Sequence, residues 1–328
     1  MHLDPFELHR PTTIEESVTL AHAHEGSFDF LAGGTDLLPN YKMHLNLRPH
    51  LIALDRVGEL SGMSADRIGA MTRLAMLERD SELATRYGSV VDAVREIATP
   101  LVRASATVGG NLLVETRCFF FNQTYFWRQS LGFCLKADGD ACHVVPQKTK
   151  CYATFSGDLA PALMVHDAEV EIAGPSGRRR LPLAALYDSS GDGIQRHHLG
   201  RTELLVAVHL RAPSRARRSA YRKLRTRPSF DFPELGVAAA LELDEGKVAA
   251  LKLAVGGLET YPRGFDAVTA ELVGRPLNAS AIAELARRVV EQVRPVHNTF
   301  LAPDYRRRMT GVYVRRILSA LAMSSEAS

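Results

Sequence analysis

The sequence predicts an α+β protein built from three consecutive lobes. Three patterns predict it. Near the N-terminus, a helix-capping signature lies between short apolar runs, as in a β-α-β unit. In the middle, two helix-spaced segments precede apolar strands separated by glycine turns. Near the C-terminus, two apolar strands joined by Asp244-Glu245-Gly246 precede two amphipathic stretches. The length of 328 residues allows two or three domains, and the lobes are read as 1–57, 58–214 and 215–328.

In residues 1–57, Thr12-Thr13-Ile14-Glu15 reads as a capping box, with the Thr12 hydroxyl and the Glu15 carboxylate closing the helix start. Ile14, Val18 and Ala21 share a face, and Gly26 ends the helix. Phe28–Ala32 and Leu51–Leu54 read as strands. Between them, Gly33 and Gly34 let the backbone turn sharply and aim N–H groups into one concavity. Such a nest holds a phosphate, with the Thr35 hydroxyl adding a donor. Gly33-Gly34-Thr35-Asp36 also suits a plain strand-to-helix turn.

In residues 58–214, Thr72–Arg79 and Ser89–Ala98 have helical spacing, and Pro100 is expected to stop the second helix. A second glycine pair, Gly109-Gly110, permits close approach of main chain to a ligand, with the Asn111 amide beside it. Gly157–Leu163 begins a short helix, Ala168–Ala173 alternates as a strand, Gly174–Gly177 is a turn, and Leu204–Leu210 is a further strand. In residues 215–328, Val237–Leu243 and Val248–Val255 form a hairpin. Helices follow near Ser280–Val293, with Asn278 and Ser280 at its start, and near Asp304–Ala322, with Pro303 at its entry.

The apolar fraction of 46% and charged fraction of 23% are those of a soluble globular protein. No apolar run is long enough for a membrane span, and Met1-His2-Leu3-Asp4-Pro5 shows no signal peptide, so a cytoplasmic chain is expected. The net charge is +3, and the basic clusters Arg215–Arg218, Arg222–Arg227 and Arg306–Arg308 lack a nucleic-acid motif; they read as solvated or partner-facing surfaces. No dinucleotide fingerprint, P-loop, zinc-protease helix or nucleophile elbow is present. His22, His24 and the pair His197-His198 have no spacing that predicts a metal site.

All four cysteines, Cys118, Cys134, Cys142 and Cys151, fall within about a tenth of the chain, spaced C-x15-C-x7-C-x8-C. Disulfides need an oxidising compartment. Structural zinc usually takes a close cysteine pair, which is missing. Isolated buried thiols leave the clustering unexplained. A [4Fe–4S] cluster wants four thiolates and tolerates wide spacing. A loop this long is functional or disordered, and Phe119, Phe120, Phe121, Tyr125, Phe126, Trp127 and Phe133 argue against disorder.

Taken together, Ala32-Gly-Gly-Thr-Asp-Leu-Leu38, Thr107-Val-Gly-Gly-Asn-Leu112, Asp158-Leu-Ala-Pro161, Tyr221-Arg-Lys-Leu-Arg-Thr-Arg227 and Pro303-Asp-Tyr-Arg306 resemble the FAD-binding subunits of molybdenum hydroxylases, in order and over essentially the whole chain. The resemblance implies the PCMH-type FAD-binding fold of two α/β lobes plus a C-terminal α+β domain of antiparallel sheet and helices. Ordinary members lack the cysteine loop, and the insertion at 118–151 resembles that of the 4-hydroxybenzoyl-CoA reductase branch, where it carries a [4Fe–4S] cluster.

By this resemblance, Asp29, Phe30, Leu31, Ala32, Gly33, Gly34, Thr35 and Asp36 form the FAD pyrophosphate loop. Thr107, Gly110 and Asn111 lie along the same cofactor, Asp158 binds its far side, and Leu205 and Lys223 line or reach the flavin. Cys118, Cys134, Cys142 and Cys151 hold the cluster. The implied function is electron transfer from ferredoxin through [4Fe–4S] and FAD to a [2Fe–2S] subunit and a molybdenum-cofactor subunit, which dehydroxylates 4-hydroxybenzoyl-CoA to benzoyl-CoA. A dimer of heterotrimers is implied, with no catalytic residue in this chain. The alternatives are a subunit of another molybdenum hydroxylase with outward electron flow, or a zinc-binding scaffold without redox chemistry. The loop carries four basic residues (Arg128, Lys136, Lys148, Lys150) against Asp138 and Asp140, which would either steer an acidic ferredoxin or balance an anionic cluster.

Overall fold

The computed structural model describes residues 3–326 apart from Lys148 and Ser229. Lys148, counted above among the loop's basic residues, thus lies outside the described residues, as do Met1 and His2 of the N-terminal reading.

The first lobe runs β1 (Glu7–His9), α1 (Ile14–Ala23), β2 (Phe28–Leu31), α2 (Leu37–Lys42) and β3 (His50–Ala53). Strands β1 and β2 flank β3, both parallel to it. The capping box sits one residue later than expected. Thr13 caps the helix by accepting from the Glu16 N–H at 3.0 Å, and Glu16 reaches back to the Thr12 N–H at 2.7 Å. That register buries Ile14 and Ala21 while Glu15 stays in solvent.

The second lobe adds β4 (Arg67–Gly69), α3 (Leu74–Arg79), α4 (Ser81–Arg86), α5 (Gly88–Glu96), α6 (Pro100–Arg103), α7 (Val108–Leu112), α8 (Tyr125–Ser130), α9 (Leu159–Met164), β5 (Glu169–Gly174), β6 (Gly177–Pro182), α10 (Leu183–Leu186) and β7 (Leu204–His209). Its sheet is antiparallel in the order β4-β7-β5-β6. Pro100 does not stop α5, which ends at Glu96. It opens α6 at a position where the missing N–H costs nothing, and Thr99 accepts from the Val102 N–H. The arginine-rich β6 was not anticipated; it forms because Gly174 and Gly177 close a hairpin with β5.

The third lobe comprises β8 (Arg218–Leu224), β9 (Leu235–Asp244), β10 (Lys247–Gly256), β11 (Arg263–Gly264), α11 (Asp266–Ala270), α12 (Ala279–Gln292) and α13 (Pro303–Glu326). The sheet order is β11-β10-β9-β8, all antiparallel. The tight β9–β10 turn puts Glu245 and Gly246 at φ +47° and +77°, the conformation a two-residue hairpin needs. Alternation along β9 divides two cores. Val237, Ala239 and Leu241 pack under α12 and α13, while Ala238 and Ala240 face the second lobe's core. The basic runs do not lie wholly in solvent: Tyr221, Lys223 and Arg306 are buried, each with polar partners. No described helix is long and apolar enough to cross a membrane.

Candidate cofactor site

Strand β2 delivers the chain into the first glycine turn. A Cβ on Gly33 would lie 2.1 Å from the Ser105 carbonyl oxygen, so only glycine lets this turn rest on the 105–106 backbone. Gly34 has φ +70°. The Leu38 and Asn40 N–H groups donate to the Gly34 and Asp36 carbonyls and start α2, whereas the N–H groups of Gly33, Gly34 and Thr35 donate no hydrogen bond among the described residues. Three uncommitted donors ahead of a helix suit a pyrophosphate. Phe30, Leu31 and Ala32 are half-buried in the approach to the turn. Asp29 points away: it accepts from the Tyr41 hydroxyl at 2.8 Å, and burial raises its carboxyl. Asp36 is engaged by the Arg117 guanidinium.

The second turn differs. Thr107 accepts from the Gly110 N–H at 3.1 Å, and the Val108 and Gly109 N–H groups donate to Thr72 and Ala70. Gly109 is therefore not open to a ligand, because a Cβ there would meet Ala70 Cβ at 2.9 Å. Gly110 is half-buried, with only the Thr107 hydroxyl nearby. The Asn111 side chain accepts from the Leu159 N–H at 3.0 Å and so caps α9. Leu205 is 2% exposed inside the second lobe's core.

Asp158 and Lys223 are brought together as expected of one site, but inside the protein. Lys223 Nζ is 3.1 Å from Asp158 Oδ2 and 2.9 Å from the Glu96 carbonyl, and the Tyr221 hydroxyl donates to Asp158 Oδ1 at 2.6 Å. Burial raises the Asp158 carboxyl, with Lys223 and Tyr221 opposing the rise. The trio locks α9 to β8 across 65 residues of sequence. Lys223→Met is expected to destabilise the fold by about 3–5 kcal/mol, since it strands a buried carboxylate. Urea denaturation checks this, and a loss under 1 kcal/mol would show the lysine to be dispensable.

All four cysteines are free, buried thiols lining one pocket. Phe120, Phe121, Val144 and Ala153 wall it, and His143 lines it with Nε2 on the Phe133 carbonyl. No three of the sulfurs lie within 4.8 Å of one another. One tetrahedral zinc, with bonds of about 2.3 Å, would hold its sulfurs about 3.8 Å apart. The Phe121 and Ala153 N–H groups point at Cys118 Sγ and Cys151 Sγ, each at 3.4 Å. Burial pushes the Cys118 thiol up to about 11 and the Cys151 thiol up to about 12, with Lys136 pulling both back. A bound metal centre would offset this cost of ionising Cys118 and Cys151.

The pocket is bolted to the glycine turn. Arg117, next to Cys118, pairs with Asp36, next to Thr35. Arg128 is 2% exposed and donates to the Met43 and His44 carbonyls at 2.9 and 3.0 Å, beyond α2. Lys136 is buried on Glu115 at 2.6 Å and on the Gly193 carbonyl at 2.8 Å. Of the two roles open to the loop's basic residues, the described ones divide, and only Lys150 among them is exposed. Arg128 and Lys136 face inward, where they can balance an anionic centre, and the exposed charges include Asp138 and Asp140. Sequence reading also missed Gly193, which no motif marks; a Cβ there would meet Cys151 Sγ at 3.2 Å and the Ala153 carbonyl at 2.9 Å. Glu115 and Arg117 were findable as charges flanking Cys118, whereas Arg196, the second partner of Glu115, lies far off in sequence.

Glu115 gives the anchor a pH dependence. Burial opposes its charge, but Lys136 and Arg196 win and hold the carboxyl well below the usual range. A depressed folded value means stabilisation present above the ordinary value of 4.5 and lost as the pH falls below it. Trp127, the only tryptophan, sits on α8 within the insertion and reports its opening. Its emission is expected to change as the pH falls below 4.5, and this step should vanish in Glu115→Gln. An identical step in the variant would acquit Glu115.

Comparison with known proteins fits this geometry. Residues 4–213 match the FAD binding domain in molybdopterin dehydrogenase, and residues 219–321 match the CO dehydrogenase flavoprotein C-terminal domain. The chain belongs to the FAD-binding subunits of the molybdenum hydroxylase family. Within this family it is 32% identical to the aldehyde oxidoreductase FAD-binding subunit PaoB of Escherichia coli K12, over 81% of this chain and 86% of the relative. It is 25% identical to the carbon monoxide dehydrogenase medium chain of Hydrogenophaga pseudoflava, over 96% of each. A solved carbon monoxide dehydrogenase from that organism superposes with a TM-score of 0.81 at 24% identity, covering 99% of both chains, and shares the fold.

Proposed function

We propose that this chain is the FAD- and [4Fe–4S]-carrying electron-transfer subunit of a molybdenum enzyme of the 4-hydroxybenzoyl-CoA reductase type. It would work with a [2Fe–2S] subunit and a molybdenum-cofactor subunit in a dimer of heterotrimers, with ferredoxin as donor. The convergence of Cys118, Cys134, Cys142 and Cys151 on one apolar pocket beside the glycine turn carries the reading. The sulfurs are too widely spread for one zinc, and two backbone N–H groups already aim at them. The bound groups supply one- and two-electron redox chemistry. The chain's own residues do the rest. Gly33, Gly34 and Thr35 offer donors to the pyrophosphate. The four cysteines supply the thiolates, Lys136 and Arg128 offset their charge, and Phe120 and Phe121 exclude water.

A second reading is a flavin subunit whose electrons leave the complex. One observation favours it: the similarity to a subunit named for an aldehyde oxidoreductase. Anaerobic purification with the partner subunits decides. About four iron atoms and one FAD per chain are expected on either reading. Benzoyl-CoA formation from 4-hydroxybenzoyl-CoA with reduced ferredoxin supports the first. Aldehyde oxidation without dehydroxylation establishes the second, and zinc without flavin rejects both.

A further inference from the structure

Three histidines from distant parts of the first lobe meet on its outer side. His9 closes β1, His50 opens β3, and His24 follows the last turn of α1. Parallel pairing sets Glu7 opposite His50, which brings the β1 side chains to the head of β3. One ligating atom from each histidine lies within 4.8 Å of the others, the only such group among the described residues. His9 Nε2 is 3.2 Å from His50 Nδ1. The Glu7 carboxylate adds oxygens 3.7 Å from His9 Nε2 and 3.4 Å from His50 Nδ1. A tetrahedral ion with bonds of about 2.0–2.1 Å to nitrogen and oxygen spaces its donors about 3.4 Å apart. The His9, His50 and Glu7 atoms therefore stand close to the edge lengths of one coordination tetrahedron, with a His24 ring nitrogen within 4.8 Å of both histidines.

We propose that His9, His24, His50 and Glu7 form a binding site for one divalent transition-metal ion of the zinc type. Three imidazoles and a carboxylate select zinc, cobalt, nickel or copper over calcium and magnesium. The ion would staple the three-residue edge strand β1 to β3 and to the end of α1. Nothing in this depends on the cysteine pocket or on the flavin.

The test uses the whole chain, purified with its iron and flavin in place, and titrated with Co²⁺. One Co²⁺ per chain is expected, with the visible bands of a tetrahedral nitrogen–oxygen site, no thiolate charge-transfer band, and displacement by Zn²⁺. His24→Ala should weaken binding at least about tenfold, and His9→Ala with His50→Ala should abolish it. Flavin and iron content should be unchanged in each variant. Zn²⁺ should raise the Tm of the native chain and not that of the double variant. Absence of Co²⁺ binding overturns the proposal, and so do bands showing cysteine ligation. Undiminished binding in His24→Ala overturns it as well, even if the double variant fails to fold.

Discussion

Cys134→Ala is expected to strip the chain of iron while leaving its flavin bound. Iron should fall from about four atoms per chain to near zero, because three thiolates do not complete a cubane's ligand set. The loss is local. Cys134 packs in a small cluster with Cys118, Phe121 and Ala137, and alanine replaces it there as another small apolar group, so the fold should lose only about 1–2 kcal/mol. The glycine turn rests on Ser105, Ala106, Leu31 and Leu38. In the assembled complex, electron exchange with the external protein partner should drop to background, while the flavin still bleaches and recovers with small-molecule reagents. Unimpaired exchange with the protein partner would place the cysteine pocket off the electron path.

Gly34→Val is expected to do the reverse, releasing flavin and retaining iron. Valine is poorly tolerated at φ +70°, and the strain is of order 1–3 kcal/mol. Its Cβ would also meet Leu38 Cδ1 at 3.0 Å and Leu31 Cδ1 at 3.4 Å, pushing on the two side chains that frame the turn. Loss of the three aligned donors should weaken FAD at least about 100-fold, near 3 kcal/mol, so that it separates on gel filtration. Gly62→Val is the control: φ is +92° with open space around it. It should show the backbone strain without the flavin loss. Full flavin in Gly34→Val would move the pyrophosphate elsewhere.

Both variants act at places where short-range pattern was informative. Gly33-Gly34-Thr35 was legible because a strand ending in two glycines leaves few conformations. The β9–β10 hairpin was legible because apolar residues persist on both sides of a left-handed turn. The cysteines were legible through clustering alone. What escaped reading was long-range. Lys223 looks like surface charge until Asp158, on another lobe, meets it. The Gly109-Gly110 pair looks like the first one, yet Gly109 serves contact with Ala70 and the turn's donors are consumed internally. Lys136 and Arg128 look like solvent-facing charge on a loop, and only Glu115 and the carbonyls after α2 turn them inward. His9, His24 and His50 acquire meaning only through the β1–β3 register.

The insertion buries few of its own apolar side chains. Its packed cluster amounts to Leu45, Phe121, Ala137, Ala153 and three of the cysteines, with Met43, Phe120 and Val144 at the margin. A patch so small does not hold a segment closed by hydrophobic burial alone. On the proposed reading an inorganic centre would be the keystone of this region, and maturation would have an order: the two flanking bodies fold first, and the flap sets around its iron last. Protease offered the iron-free chain should nick between Asn122 and Lys150 and spare the rest, whereas the loaded chain should resist.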